Sequence, residues 1–162
     1  QVLKESYFNQ ADYLSAPLQP TSDRLEFNEH YFQLSRNAKA FKVWMSLKAY
    51  GFARIQAMMQ KDIDLTRYLE RRLNAASDFE LKSNSDLAIA CFRYTGSNLS
   101  TEQIISINQQ LIPALEQDGR IFIAGTRLNG EFVLRACIIN HRKSETSIDY
   151  LLDTIRAVAA KL

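Results

Sequence analysis

The sequence predicts an α/β fold of the α+β type, an antiparallel sheet with helices packed on one face. Three observations predict it. Apolar residues recur at three- and four-residue spacing over a long stretch after residue 36. Short apolar runs then alternate with helical segments through the second half. Two of those runs are joined by Leu128-Asn129-Gly130, a hairpin signal that makes them antiparallel neighbours.

Residues 1–35 carry no clean period, and Pro17 and Pro20 mark an irregular exposed loop. A loop that long inside a compact domain is often either mobile or functional. From Arg36 to about Ala76 the spacing predicts two helices, with Ser35 as the N-cap of the first and Gly51 as the break. Phe41, Trp44, Met45 and Leu47 form the apolar stripe of the first helix. Ile55, Met58, Met59, Ile63, Leu65, Leu69 and Leu73 form that of the second, where a Met pair reads as core. Arg67, Glu70, Arg71 and Arg72 read as a solvated face.

Phe79-Glu80-Leu81 and Leu87–Tyr94 are strand candidates. Ser100 caps a helix from Thr101 to about Gln117. Arg120–Thr126 and Glu131–Ile139 are the two arms of the hairpin. A last helix opens near Ser144 or Thr146 and carries Ile148, Leu151, Leu152, Ile155 and Val158 on one face. The expected order is helix, helix, β-β-α-β-β-α.

Composition narrows the function. Twenty basic and 18 acidic residues leave a net charge of +2, no footprint for a nucleic-acid partner. No stretch approaches the roughly 20 apolar residues that span a bilayer, so no membrane partner is expected. The first residues lack an apolar signal core and an initiator Met, which suggests a start inside a longer polypeptide. Cys91 and Cys137 each sit in an apolar run and read as reduced core cysteines. His30 and His141 have no second ligand at metal spacing, so no metal site is expected. The Gly-rich phosphate-cradling patterns and the Gly-x-Ser-x-Gly turn are also missing.

Arg135 stands out inside Phe132-Val133-Leu134-Arg135-Ala136-Cys137-Ile138-Ile139. An arginine within an apolar strand is costly unless its guanidinium is paired or reaches a cleft. It reads either as a snorkelling or salt-bridged residue at a sheet edge or as a carboxylate-binding arginine, whose planar fork suits that anion.

The ordered set Arg36, Phe41-Lys42, Trp44 and Gly51 is similar to a segment of the group II pyridoxal-phosphate-dependent amino-acid decarboxylases. Phe132–Asn140 resembles the family's final strand, as does Asn140-His141-Arg142-Lys143-Ser144 just past it. The resemblance runs over essentially the whole chain. It implies the small C-terminal domain of the type I aminotransferase-like fold for residues 36–162. For residues 1–35 it implies the end of the large cofactor domain and a mobile active-site loop. The reduced cysteines point to a cytoplasmic protein, and the resemblance also implies a homodimer that uses pyridoxal 5'-phosphate to convert an L-amino acid to its amine and carbon dioxide.

By the same resemblance, Tyr13 in Asp12-Tyr13-Leu14 matches the loop tyrosine that protonates the substrate carbon across the dimer interface. Related aldehyde-forming enzymes carry Phe there. A phenol suits the task because it is a proton donor that stays neutral at pH 7. Arg135 matches the arginine that approaches the substrate carboxylate. Arg36 matches one with a structural or interdomain role. The family's His-Lys pair, which carries the cofactor-linked lysine, is missing, as are its pyridine-pairing aspartate and ring-stacking histidine. No cofactor-binding residue is therefore assigned in this chain, which by itself is expected to be inactive. Two alternatives remain, a stand-alone β-β-α-β-β-α ligand-binding or regulatory module and a noncatalytic chain of a split decarboxylase.

Overall fold

A computed structural model describes residues 2–7, 37–83 and 85–162. Tyr13, His30, Ser35, Arg36 and the proline-bearing loop lie outside the described residues. The chain divides into two units, Gln1–Ala49 and Tyr50–Leu162. The first holds a short helix α1 (Val2–Tyr7) and most of α2 (Lys39–Tyr50). The second continues with α3 (Phe52–Ala75), β1 (Phe79–Ser83), β2 (Ile89–Tyr94), α4 (Thr101–Asp118), β3 (Ala124–Leu128), β4 (Glu131–Cys137) and α5 (Glu145–Ala159). From α2 onward this is the expected order; α1 was not foreseen.

Gly51 takes φ +77°, a left-handed value open to glycine, and ends the helical run where expected. Only the C-terminal half of α3 enters the core, through Leu65, Thr66, Leu69 and Leu73. Met59 is 64% exposed, contrary to the core reading of the Met pair. Glu70 also departs from expectation, because its Oε1 is buried rather than solvated. α4 opens on a reciprocal cap. Ser100 Oγ accepts from the Gln103 N–H at 3.3 Å, and Gln103 Oε1 accepts from the Ser100 N–H at 2.8 Å. Ser144 precedes α5, and its N–H donates to the Ser147 hydroxyl.

The sheet order is β1-β2-β4-β3, antiparallel throughout. Asn129 and Gly130 both take positive φ and close the β3–β4 hairpin as expected. β3 starts four residues later than the sequence suggests. Arg120 is drawn back onto Asp118, Ile123 turns into the core, and Phe122 is 83% exposed. Ile121-Phe122-Ile123 therefore alternates like a strand without joining one.

Phe79, Ala90, Phe92, Leu134 and Ala136 face one way and pack with residues of α3, α4 and α5 in a single core. Strand alternation sends Cys91, Arg93, Val133 and Arg135 to the opposite face. That one-sided packing matches the expected architecture. On the other face Cys91 and Val133 are still buried, whereas Arg135 and Cys137 are exposed.

Candidate functional site

The site is built on the face of the sheet that the helices do not cover. Arg135 occupies it on β4, an inner strand. Its register partners are Cys91 on β2 and Ala124 on β3. Val133 and Cys137 flank it two residues away on the same face. All four neighbours are uncharged. Arg135 is exposed, and its guanidinium makes no ion pair or hydrogen bond among the described residues. The sheet-edge placement in the snorkelling or salt-bridged reading is thus corrected, since β4 has strands on both sides.

The other charges on this face neutralise one another. Glu80 and Lys82 come from β1, Arg93 from β2 and Glu131 from β4. Glu80 accepts from Arg93 Nε at 3.1 Å and from Lys82 Nζ at 3.1 Å. Glu131 lies 2.7 Å from Lys82 Nζ and 3.4 Å from Arg93 Nη1. Each acid therefore meets both bases, and the four side chains close a ring across three strands. One extra residue in β1, between Leu81 and Ser83, carries Lys82 into that ring.

The titration shifts record this mutual pairing. For Glu80, burial pushes the carboxyl up, but hydrogen bonds from Arg93 and Lys82 outweigh it and leave a lowered value. The Lys82 hydrogen bond lowers Glu131, and the bond to Glu131 in turn raises Lys82. The Arg93 side chain is only 12% exposed, so the ring is partly desolvated at its centre. Among the described residues three bases and two acids share the face, and the surplus positive charge is Arg135.

Sequence reasoning found Arg135 but missed the ring. Its signal was present as charges within apolar strands, Glu80 and Lys82 in β1, Arg93 in β2 and Glu131 in β4. Which charge meets which depends on the strand register. Tyr13, the other expected site residue, lies outside the described residues. Cys91 is buried as expected, whereas Cys137, the last residue of β4, is exposed. His141 is exposed, and its carbonyl accepts from Lys61 Nζ at 2.9 Å, tying the segment after β4 to α3. A cleft of about 550 Å³ lies between residues 120–123 and 136–140, where β3 fails to continue alongside β4. Arg135 does not line it. Among the described residues no group of three or more His, Cys, Asp or Glu could hold a metal ion.

The pyridoxal-dependent decarboxylase conserved domain matches residues 1–95. The chain is 29% identical over 163 residues to an aromatic-L-amino-acid decarboxylase of Bacillus atrophaeus, covering 100% of this chain and 34% of that protein. It is 26% identical over 160 residues to tryptophan decarboxylase 2 of Oryza sativa subsp. japonica, with 99% and 32% covered. The crystal structure of Oryza sativa TDC with PLP and tryptamine superposes with a TM-score of 0.79 at 21% identity, over 98% of this chain and 33% of that one. Mouse CSAD superposes with a TM-score of 0.77 at 19% identity, over 100% and 35%. The chain thus spans about a third of the length of the relatives it matches. With the family domain matching over half of its residues, and with the fold shared along nearly its whole length, the chain belongs to the pyridoxal-dependent decarboxylase family.

Proposed function

We propose that this chain is part of an enzyme that converts an L-amino acid to its amine and carbon dioxide, in which Arg135 holds the substrate carboxylate and Tyr13 returns a proton to the substrate carbon. The observation that carries the reading is the exposed guanidinium of Arg135, on an inner strand and without a partner among the described residues. An arginine with no partner among the described residues, between small uncharged neighbours, is set up to take a carboxylate from outside through two parallel N–H donors.

The described residues do not fit pyridoxal phosphate. A cofactor-linked lysine needs a pocket that favours its neutral amine. Lys39, Lys42, Lys48, Lys143 and Lys161 are exposed, Lys61 is bound to the His141 carbonyl, and Lys82 is locked in the ring. We therefore assign the cofactor, and the electron sink it supplies when bound, to the part of the relatives that this chain does not span. The chain alone is then inactive, and the complete enzyme acts as a homodimer in the cytoplasm. Residues 1–35 belong to the cofactor side and its loop, and residues 36–162 form the small domain. In this arrangement Arg135 orients the carboxylate that leaves. The Tyr13 hydroxyl donates the proton that replaces it, inside a site closed to water.

The test is made in the complete enzyme. Arg135→Met should raise KM for the amino acid roughly tenfold or more, the loss expected for a charge-assisted hydrogen-bonded contact. Tyr13→Phe should cut amine formation while leaving substrate binding near wild type. An unchanged KM in the first variant together with undiminished amine output in the second would sink the assignment.

A further inference from the structure

We propose that the ring of Glu80, Lys82, Arg93 and Glu131 keeps the two carboxylates of the open sheet face away from Arg135, which makes Lys82 and Arg93 positioning residues for the anion that Arg135 receives. The inference rests on the reading of Arg135 given above. It goes further by naming the groups that keep that arginine unoccupied.

Glu131 lies on the same strand and the same face as Arg135, four residues earlier, a separation of roughly 13 Å along β4. An extended glutamate and an extended arginine reaching toward each other nearly close that gap. Left without partners, Glu131 is therefore the competitor for Arg135 already built into the strand. In the structure it is held across the strands instead, by Lys82 at 2.7 Å and Arg93 at 3.4 Å. Glu80, the only other acid on the face among the described residues, is held by the same two bases. Both bases are mostly enclosed, at 20% and 12% side-chain exposure, whereas the acids are 43% and 46% exposed. The bases thus sit fixed at the centre while the acids come in from the rim. The immediate neighbours of Arg135 are Cys91 and Ala124 in register, with Val133 and Cys137 along the strand, and none can pair with it. Two features therefore leave this charge available, uncharged neighbours close by and a ring that captures the nearest acids.

Phenylglyoxal labelling of the purified chain, read arginine by arginine by peptide mass spectrometry, tests this without cofactor or turnover. In the wild-type chain Arg135 should label faster than the paired Arg93. In Arg93→Met the ring opens, Glu131 is released toward Arg135, and labelling of Arg135 should slow by roughly two- to fivefold, the worth of a half-exposed ion pair. Lys82→Met opens the ring from its other base and should act in the same direction. Adding Glu131→Gln to Arg93→Met should restore the fast rate, a rescue that a general loosening of the sheet would not give. Arg93→Lys, which keeps a cation, should leave the Arg135 rate at the wild-type value. A rate at Arg135 that is unchanged or faster in both ring-opened variants overturns the inference. If the labelling follows the expected pattern but Arg135→Met leaves KM unchanged in the complete enzyme, the carboxylate reading falls and the ring's role stands. If KM rises but the labelling does not respond to the ring, the ring inference falls alone.

Discussion

Asn108 ties helix to sheet with one side chain. It is fully buried on α4, accepts from the Tyr94 N–H at 2.9 Å and donates to the Tyr94 carbonyl at 2.7 Å. Both backbone groups at the end of β2 therefore depend on it. Asn108→Ala would leave a buried donor and acceptor without partners and should cost about 3 kcal/mol, read from the urea midpoint. A loss under about 1 kcal/mol would mean that water takes over the clamp. A second residue-scale link joins Asp78, just before β1, to Arg156 on α5 by two hydrogen bonds of 2.7 and 3.0 Å. The Arg156 hydrogen bond holds the Asp78 carboxyl below its ordinary 3.8, with burial opposing and the Arg156 charge assisting. A carboxyl lowered by folding stabilises fully above its ordinary value, and the gain is lost as pH falls below 3.8 through the lowered one. Arg156→Met should therefore destabilise by an amount that is steady near neutral pH and shrinks below about pH 4. The pair is about one-third exposed on the arginine side, so its pH-dependent part stays within about 1 kcal/mol. A gap between wild type and variant that persists unchanged at pH 3 would show that only packing of Arg156 over the Phe79 ring was lost.

At the scale of elements, α3 and the hairpin carry the sharpest consequences. Leu69 is wholly buried in the half of α3 that meets the sheet. Leu69→Ala should cost about 3 kcal/mol through lost burial and the cavity left behind, measured by thermal or urea unfolding. In β3, a Cβ on Gly125 would stand 2.5 Å from the Phe132 ring and 3.4 Å from Ile112 on α4. Gly125→Val should accordingly push the ring out and destabilise by about 2 kcal/mol. Helices were legible because their apolar spacing survives in one dimension, as Leu65, Leu69 and Leu73 illustrate. Strand ends were less so. Arg120–Ile123 alternates as a strand would, yet its pairing is refused by a contact with Asp118 that spacing does not reveal.

For the whole molecule, α2 is the anomaly. Every residue in it is exposed, with Trp44 at 54%, Val43 at 61% and Tyr50 at 62%. A helix apolar on nearly every side is normally enclosed. The stripe expected at Phe41, Trp44, Met45 and Leu47 exists, but among the described residues nothing buries it. The purified chain should therefore self-associate as concentration rises, seen by sedimentation and by a blue shift of its single tryptophan. Trp44→Glu should shift that association to higher concentration, and a wild-type chain that stays monomeric throughout would refute the expectation.

The sequence by itself determined the order of elements from α2 onward, the one-sided packing of the sheet, the core leucines and the family, because local spacing and short ordered motifs carry that information. It singled out Arg135 as an arginine needing a partner, since charge inside an apolar strand is visible in one dimension. Tertiary structure alone decided that none of the described residues pairs with it. Antiparallel register placed Cys91 and Ala124 beside Arg135 and brought Glu80, Lys82, Arg93 and Glu131 together from three strands. Pairing across strands depends on distances that close only when the sheet forms, so no reading of neighbours along the chain could supply it.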